Sequence, residues 1–217
     1  KSKWIWSSDV FGENEYSEFC HVFFHNGGNT VLNISVRGDY TLFVNGKFCE
    51  SNQYGDFEHF KIYDSIDITD FLVEGENKIH ILVWYFGKSG FSHNSSGKSG
   101  LLFSAQAIGL YSDSQWMSRI HPAYGTCGDP KPNGRLSESS IKYDGNKDLG
   151  EWQTGDIQSG FAASKEIGKA GSAPWNALVA RPTPLWKDFG PKKGKYTTKR
   201  GTEEDTLVVA LPYNMQM

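Results

Sequence analysis

The sequence has no long apolar run, no block of one charge, almost no cysteine and few helix-period stripes. No stretch approaches the roughly 18–20 apolar residues that cross a membrane as a helix, so membrane insertion is not expected. Lys and Arg total 22 against 25 Asp and Glu, a net charge of −3. The one basic cluster is the short run at 192–195. Nucleic acids and anionic membrane surfaces need a concentrated basic face, so neither is expected as a partner. The three cysteines, Cys20, Cys49 and Cys127, match no zinc spacing and no CxxC redox pair. An odd count permits one disulfide at most. Cys20 and Cys49 lie in strand-like surroundings and read as buried, reduced thiols, so the compartment is not legible from them. No charged-then-apolar leader precedes the first strand-like residues, a feature a trimmed mature chain would share. HExxH, GxSxG, Walker and GxGxxG patterns are all missing.

What is present points to β structure. In 217 residues, 14% are aromatic, with seven Trp, and 24 are Gly. This is enough chain for one large β domain, and enough apolar residue for a core. Short β-branched and aromatic runs recur between Gly, Asn, Asp and Ser clusters, the signature of an all-β sandwich. The run 19–24 (FCHVFF) precedes the turn-forming NGGN at 26–29. In 30–37 (TVLNISVR), Val31, Asn33, Ser35 and Arg37 alternate with Leu32, Ile34 and Val36, which suits a strand with one face in a core. The run 40–44 (YTLFV) meets Asn45-Gly46, the strongest short hairpin signal. Further strands are expected at 60–68, 101–108 and 115–120. The run 78–86 (KIHILVWYF) is apolar almost throughout, as for a central strand covered on both faces.

After His121 the alternation fades. A strand is expected at 141–143, and a loop or short helix at 155–163. Residues 173–190 (APWNALVARPTPLWKDFG) form a Pro- and Trp-rich segment that must pack on something to be ordered. The expected layout is a jelly-roll domain over 1–170, an extended strap and linker over 171–200, and the opening strand of a truncated second β domain over 201–217. No partner strand is visible for 206–211 (TLVVAL).

Three chemistries are weighed against packing. Glycoside hydrolysis needs two carboxylates across a sugar. Asp64, Asp67 and Asp70, or Glu138, Asp144 and Asp148, are available, but Asp67 and Asp70 beside Thr69 read as turn residues. Calcium takes six to eight oxygens from loops, and Glu50, Asn52 and Asp56 in ESNQYGD offer some, as does Asn94-Ser95-Ser96. A sugar site needs a flat aromatic for the apolar sugar face and polar groups for the hydroxyls. Trp84, Tyr85, Trp116 and Tyr124 are the candidates for the first part. Asp39, Asn52, Glu50 and His121 are the candidates for the second. Trp4, Trp6 and Trp84 lie in apolar runs and have the strongest competing reading as core. His21 and His80 sit inside strand patterns and read as packed strand residues.

The order of segments carries a resemblance. WIW at 4–6 is followed by DYTLFVNGKF at 39–48, IYDSIDITDFLVEGENKIHILVWYFG at 62–87 and SGLLF at 99–103. HPAY at 121–124, LSESSIKYD at 136–144, PW at 174–175, RPTPLWKDFG at 181–190 and LPYNMQM at 211–217 complete it. This resembles the N-terminal, non-catalytic region of bacterial α-L-rhamnosidases of glycoside hydrolase family 78. The VNG…YDSIDIT…GEN part also resembles the galactose-binding-like jelly rolls of many glycosidases. The resemblance implies a jelly-roll β-sandwich with no hydrolytic carboxylates of its own, these lying in a later (α/α)6 barrel absent from this sequence. It implies a carbohydrate partner, a rhamnose-containing glycan, and that barrel as a second partner. Some relatives hold calcium against the sugar, but the loop after VNG here reads Phe48-Cys49-Glu50-Ser51-Asn52 and lacks the Gly-Asp opening of many relatives. An external polysaccharide implies a periplasmic, secreted or cell-surface location. Two roles are expected to compete: a carbohydrate-recognition module, and a scaffold that packs on the barrel without a sugar site.

Overall fold

Eight strands carry the chain to Ala105: β1 (Lys3–Trp6), β2 (Glu15–His25), β3 (Val31–Val36), β4 (Asp39–Val44), β5 (Lys47–Asn52), β6 (Phe60–Asp67), β7 (Gly75–Tyr85) and β8 (Leu101–Ala105). They pair antiparallel as β4 with β5, β3 with β6, β2 with β7 and β1 with β8. The chain is thus one long hairpin, and its fold-back point is Asn45-Gly46. Both turn residues have positive φ, 51° and 74°, as a two-residue type I′ hairpin requires. Rolled up, the hairpin gives a sheet with β1, β8, β3 and β6 in order and a second with β2, β7, β4 and β5. That is jelly-roll topology. The computed structural model describes residues 1–52, 57, 59–90, 97–128, 137–150, 152–154, 156, 159–185 and 187, with the backbone of 192–193 and 210–211.

Later segments widen both sheets. In the first sheet, β9 (Leu110–Tyr111) pairs with β8, β14 (Lys165–Lys169) with β1, and β15 (Ala177–Ala180) runs parallel beside β6. In the second, β10 (Met117–Ile120) pairs with β2 and β13 (Ala162–Ala163) with β10. β11 (Tyr124–Thr126) and β12 (Ile141–Tyr143) form a separate ribbon. The described helices are short 3-10 turns, and none is long and apolar enough to cross a membrane.

The matched motif residues earn their places through hydrogen bonds. Asn45 Oδ1 accepts from Lys78 N at 2.9 Å, and Asn45 Nδ2 donates to Asn77 Oδ1 at 2.8 Å. Asn77 Nδ2 donates to Val73 O and Gly75 O at 2.7 and 3.0 Å. The VNG and GEN segments are therefore one knot at the end of β4 and β7. Asp67 Oδ1 accepts from Thr69 N and Thr69 Oγ1 at 2.9 and 2.6 Å, the side-chain cap expected at that strand end.

Between the sheets, Tyr40, Leu42 and Val44 of β4 lie opposite Val83, Ile81 and Ile79 of β7, and Phe19 of β2 lies opposite Ile81. All are buried. Trp6 packs on Phe19, with ring centroids 5.5 Å apart. Trp116, fully buried, packs on Phe103 and His21. Burying one such ring removes about 150–250 Å² from water, roughly 4–6 kcal/mol of transfer free energy.

Trp4 serves another side. The β1–β14 register shifts between Trp4 and Ile5, and such a bulge breaks the usual alternation. Trp4 stacks on Trp175, centroids 4.8 Å apart and 11° between planes, over Leu102. A Cβ on Gly168 would lie 2.3 Å from Trp175 Cζ3, so only glycine admits the ring there. From Trp175 to Arg181 the Pro- and Trp-rich segment packs on the domain: Trp175 stacks, β15 pairs, and Arg181 Nε donates to Asp64 Oδ1. Asp64 also accepts from Tyr40 Oη at 2.8 Å, so one buried carboxylate ties together both sheets and the strap.

The chain divides into two compact units, Lys1–Pro184 and Leu185–Met217. In the second, β16 (Lys192–Lys193) pairs antiparallel with β17 (Ala210–Leu211). Ala210 and Leu211 thus have the partner that the sequence did not reveal, within the stretch read as a linker. Residues 206–209 lie outside the described set.

Candidate functional site

The outer face of the second sheet collects most of the predicted polar and aromatic candidates. On β7, Ile79, Ile81 and Val83 face the core, so His80, Leu82 and Trp84 face outward. The next strands place Asp39 opposite Trp84 on β4, and Tyr16, Glu18 and Cys20 opposite Trp84, Leu82 and His80 on β2. β10 adds Arg119 beside Glu18. Described residues that follow β10, among them Tyr124, Trp152, Ser159 and Phe161, fold over this face and cover it. That cover explains why β7 lacks alternation: its outer side chains are buried as well.

At the centre of the face lies a carboxylate that the sequence reading missed. Glu18 is fully buried. Arg119 Nε and Nη2 donate to its two oxygens at 3.0 and 3.2 Å, and His80 Nε2 lies 3.2 Å from Oε2. Burial pushes the Glu18 pKa up. His80 and Arg119 more than offset it and hold the carboxyl below its ordinary range. Arg119 Nη1 donates to Ser159 O at 2.7 Å, and the guanidinium lies 4.4 Å from the centre of the Phe161 ring. Trp152 closes the roof, edge-on to His80, His121 and Phe43. The available signal was a charged residue in each of two apolar strands, Glu18 in SEFC and Arg119 in MSRI.

His121 is buried, and its Nδ1 accepts from Ala123 N at 3.2 Å. The proton of the neutral ring therefore sits on Nε2, 3.9 Å from Glu18 Oε1. Burial pushes the His121 pKa down, against the pull of Glu18.

An aromatic ladder runs from this centre to solvent. Trp84 lies 6.3 Å from Tyr16, Tyr16 stacks on Tyr124 at 3.9 Å, and Tyr124 meets Tyr143 at 5.1 Å. Trp84 is buried, and its Nε1 donates to Asn14 Oδ1 at 3.1 Å. Asn14 Nδ2 in turn donates to Ser140 Oγ at 2.8 Å, pinning the cover to the sheet. Tyr143 is 50% exposed. Its hydroxyl bonds Asp148, which pushes the Tyr143 pKa up to about 12 and holds Asp148 below its usual range.

The structure thus brings together Trp84, Asp39, His121 and Tyr124. It does not bring in Tyr85, which faces the core against Trp6 and Phe11, or Trp116, whose Nε1 donates to Tyr111 O at 2.9 Å inside the domain. Neither ring is a platform: both are core, because strand alternation turns Tyr85 inward and β10 begins between the sheets. Trp84 is likewise roofed over and presents no open face. Asn52, on edge strand β5 opposite Tyr40, is buried.

Four of the six predicted carboxylates, Asp64, Asp67, Asp144 and Asp148, are engaged in folding. Asp64 holds Tyr40 and Arg181, Asp67 caps Thr69, and Asp144 Oδ1 accepts from Asn146 N at 3.1 Å. Of the calcium candidates, Glu50 accepts from Ser51 N at 2.9 Å and shares a strand face with Asn52. Asp56 lies outside the described residues, as do Asn94, Ser95 and Ser96. Two donors fall well short of a calcium shell. Among the described residues no group of three His, Cys, Asp or Glu side chains is arranged to hold a metal ion. Cys20, Cys49 and Cys127 are all free thiols, and burial raises the Cys20 and Cys49 pKa values to about 12.

No family model and no curated protein matches the chain. Solved structures do. The chain is similar to a β domain of glycoside hydrolase family 78 rhamnosidases. With the GH78 family rhamnosidase of Bacillus sp. GL1 the TM-score is 0.73 at 27% identity, over 89% of this chain and 21% of that one. With the α-L-rhamnosidase of Aspergillus terreus it is 0.65 at 21%, over 89% and 24%. A lectin of Pleurotus ostreatus shares the fold at TM-score 0.50 and 20% identity, over 84% and 46%. The chain therefore spans about a fifth to a quarter of the length of these rhamnosidases.

Proposed function

We propose that the chain is a non-hydrolytic accessory domain of an α-L-rhamnosidase-like glycoside hydrolase, and that it contributes to recognition of a rhamnose-containing glycan. The observation that carries this is the 27% identity sustained over 89% of the chain in one superposition with the Bacillus enzyme. The partner in the same parent chain is a catalytic barrel that supplies the hydrolytic carboxylates. An external glycan as substrate favours a periplasmic, secreted or cell-surface parent. On the covered face, the part a sugar can reach is the ladder's outer end, Tyr143 beside Asp148.

A second reading is favoured by a specific observation. Trp116 and Trp175 are fully buried and Trp84 is 3% exposed, so the tryptophans build the domain rather than a platform. In that reading the domain is a scaffold packed on the barrel. Calorimetric titration with L-rhamnose, repeated with calcium and with chelator, separates the two. Saturating heat supports recognition. No heat at tens of millimolar sugar leaves the scaffold. Heat lost on chelation assigns the binding to calcium and directs attention to residues 50–56.

A further inference from the structure

The outer face of the first sheet differs from that of the second, because part of it stays open. A pocket of about 300 Å³ lies over β3 and β8, walled by β15 and the segment before β1. That is the small end of the roughly 300–1,000 Å³ typical of small-molecule sites. Register aligns a polar row across four neighbouring strands: Asn33 lies opposite Ser65 on one side and Ser104 on the other, and Ser104 lies opposite Tyr111.

Of the polar groups around the pocket, Ser2 Oγ and Ser35 Oγ are spent on the fold, donating to Phe103 O and Ile62 O at 2.7 Å each, while the others are not. Ser65 Oγ donates to Asn33 Oδ1 at 2.6 Å, which fixes the amide orientation. The two N–H of Asn33 Nδ2 are left without a protein partner among the described residues. The same holds for the hydroxyls of Ser104, Tyr63 and Tyr111 and for the Gln106 amide. Lys1 Nζ sits 5.0 Å over the Tyr111 ring, so Tyr111 offers its hydroxyl rather than its face. Leu102 and Leu178 form an apolar floor, held from behind by the Trp4–Trp175 stack. None of the lining residues is acidic.

We infer that this pocket binds one neutral 6-deoxyhexose unit, with the sugar's methyl group on the leucine floor and its hydroxyls on the amide and hydroxyl rim. Resting on the proposed recognition role, this assigns that role to a different face from the aromatic ladder. An amide and hydroxyl rim pairs with vicinal diols as both donor and acceptor. A floor with no polar atom favours a methyl over the hydroxymethyl of an ordinary hexose, which would lose its hydrogen bonds there. With no carboxylate in the lining, binding needs no metal.

The test is titration of the 217-residue chain with L-rhamnose, followed by calorimetry and by amide chemical shifts. The expected result is saturation unaffected by chelator, with shifts of the Asn33 and Gln106 side-chain amides and of the Ser104 backbone amide. Ser104→Phe fills the pocket and should weaken binding by about tenfold or more with an unchanged melting temperature. Gln106→Ala, at an exposed position, is the second variant should Ser104→Phe fold poorly, and it too should weaken binding. Rhamnose binding that both variants leave intact, with shifts clustered at Tyr143 and Asp148, overturns the pocket while recognition stands. Absence of any saturable rhamnose binding overturns both.

Discussion

The two outer faces of the sandwich solve opposite problems with the same strand geometry. The second sheet turns a carboxylate, a guanidinium and two imidazoles outward and then buries them beneath Trp152, Phe161 and their described neighbours. The first sheet turns hydroxyls and amides outward and leaves part of them open. On a covered face polar groups must satisfy one another, since an unpaired buried charge costs several kcal/mol. On an open face water satisfies them until a ligand displaces it. The pairing state of side chains, more than their type, separates fastening from recognition here.

The comparison can be broken most sharply at Arg119. Arg119→Ala leaves Glu18 buried and short of its main partner, and should cost about 3–5 kcal/mol in urea unfolding. A double Glu18→Leu, Arg119→Met variant should recover most of that. A loss that persists in the double variant would show that the pair does more than hold the cover down. Next in size is Gly168→Ala, whose methyl meets the Trp175 ring. Overpacking of this kind costs about 1–3 kcal/mol, read by the same unfolding curves.

Acid should separate the faces as well. His121 has a lowered pKa, so the native state binds fewer protons than the unfolded chain just below the ordinary value of 6.5. Stability therefore falls as pH drops from there toward the folded pKa. Glu18, also lowered, contributes stability that is present above its ordinary 4.5 and is lost as pH falls through its folded value. Two phases of acid loss are expected. His121→Gln should shrink the upper one, with His21, lowered by burial, supplying the remainder. An unchanged profile would place the proton uptake elsewhere. The smallest effect on folding belongs to Tyr143→Ala. Its urea midpoint should match the parent, and rhamnose binding should survive if the pocket on the first sheet is the site.

The jelly roll was legible because its instructions are local. Asn45-Gly46 marks the fold-back, alternation in 30–37 marks an exposed face, and the GEN motif marks the return. The apolar run 78–86 was correctly expected to be covered on both faces. What covers its outer side was not legible, since that contact brings the Trp152 ring from a distant 3-10 turn onto His80, a pairing that no short window contains. Tyr85 and Trp116 fell in the core for a related reason. An aromatic near a loop looks the same in sequence whether its strand turns it outward or inward, and Tyr85 differs from Trp84 by a single step of the pleat. The polar row Ser65, Asn33, Ser104 and Tyr111 was invisible because register, not sequence distance, assembles it.

The Trp4–Trp175 stack has an optical consequence. Two indoles held 4.8 Å apart and nearly parallel couple their electronic transitions, and coupled chromophores give a paired band of opposite signs in circular dichroism. The first strand and the strap therefore carry a built-in gauge of their own closure. That band should vanish when the strap lifts, before the rest of the β spectrum changes, and would report detachment of residues 171–184 without any label.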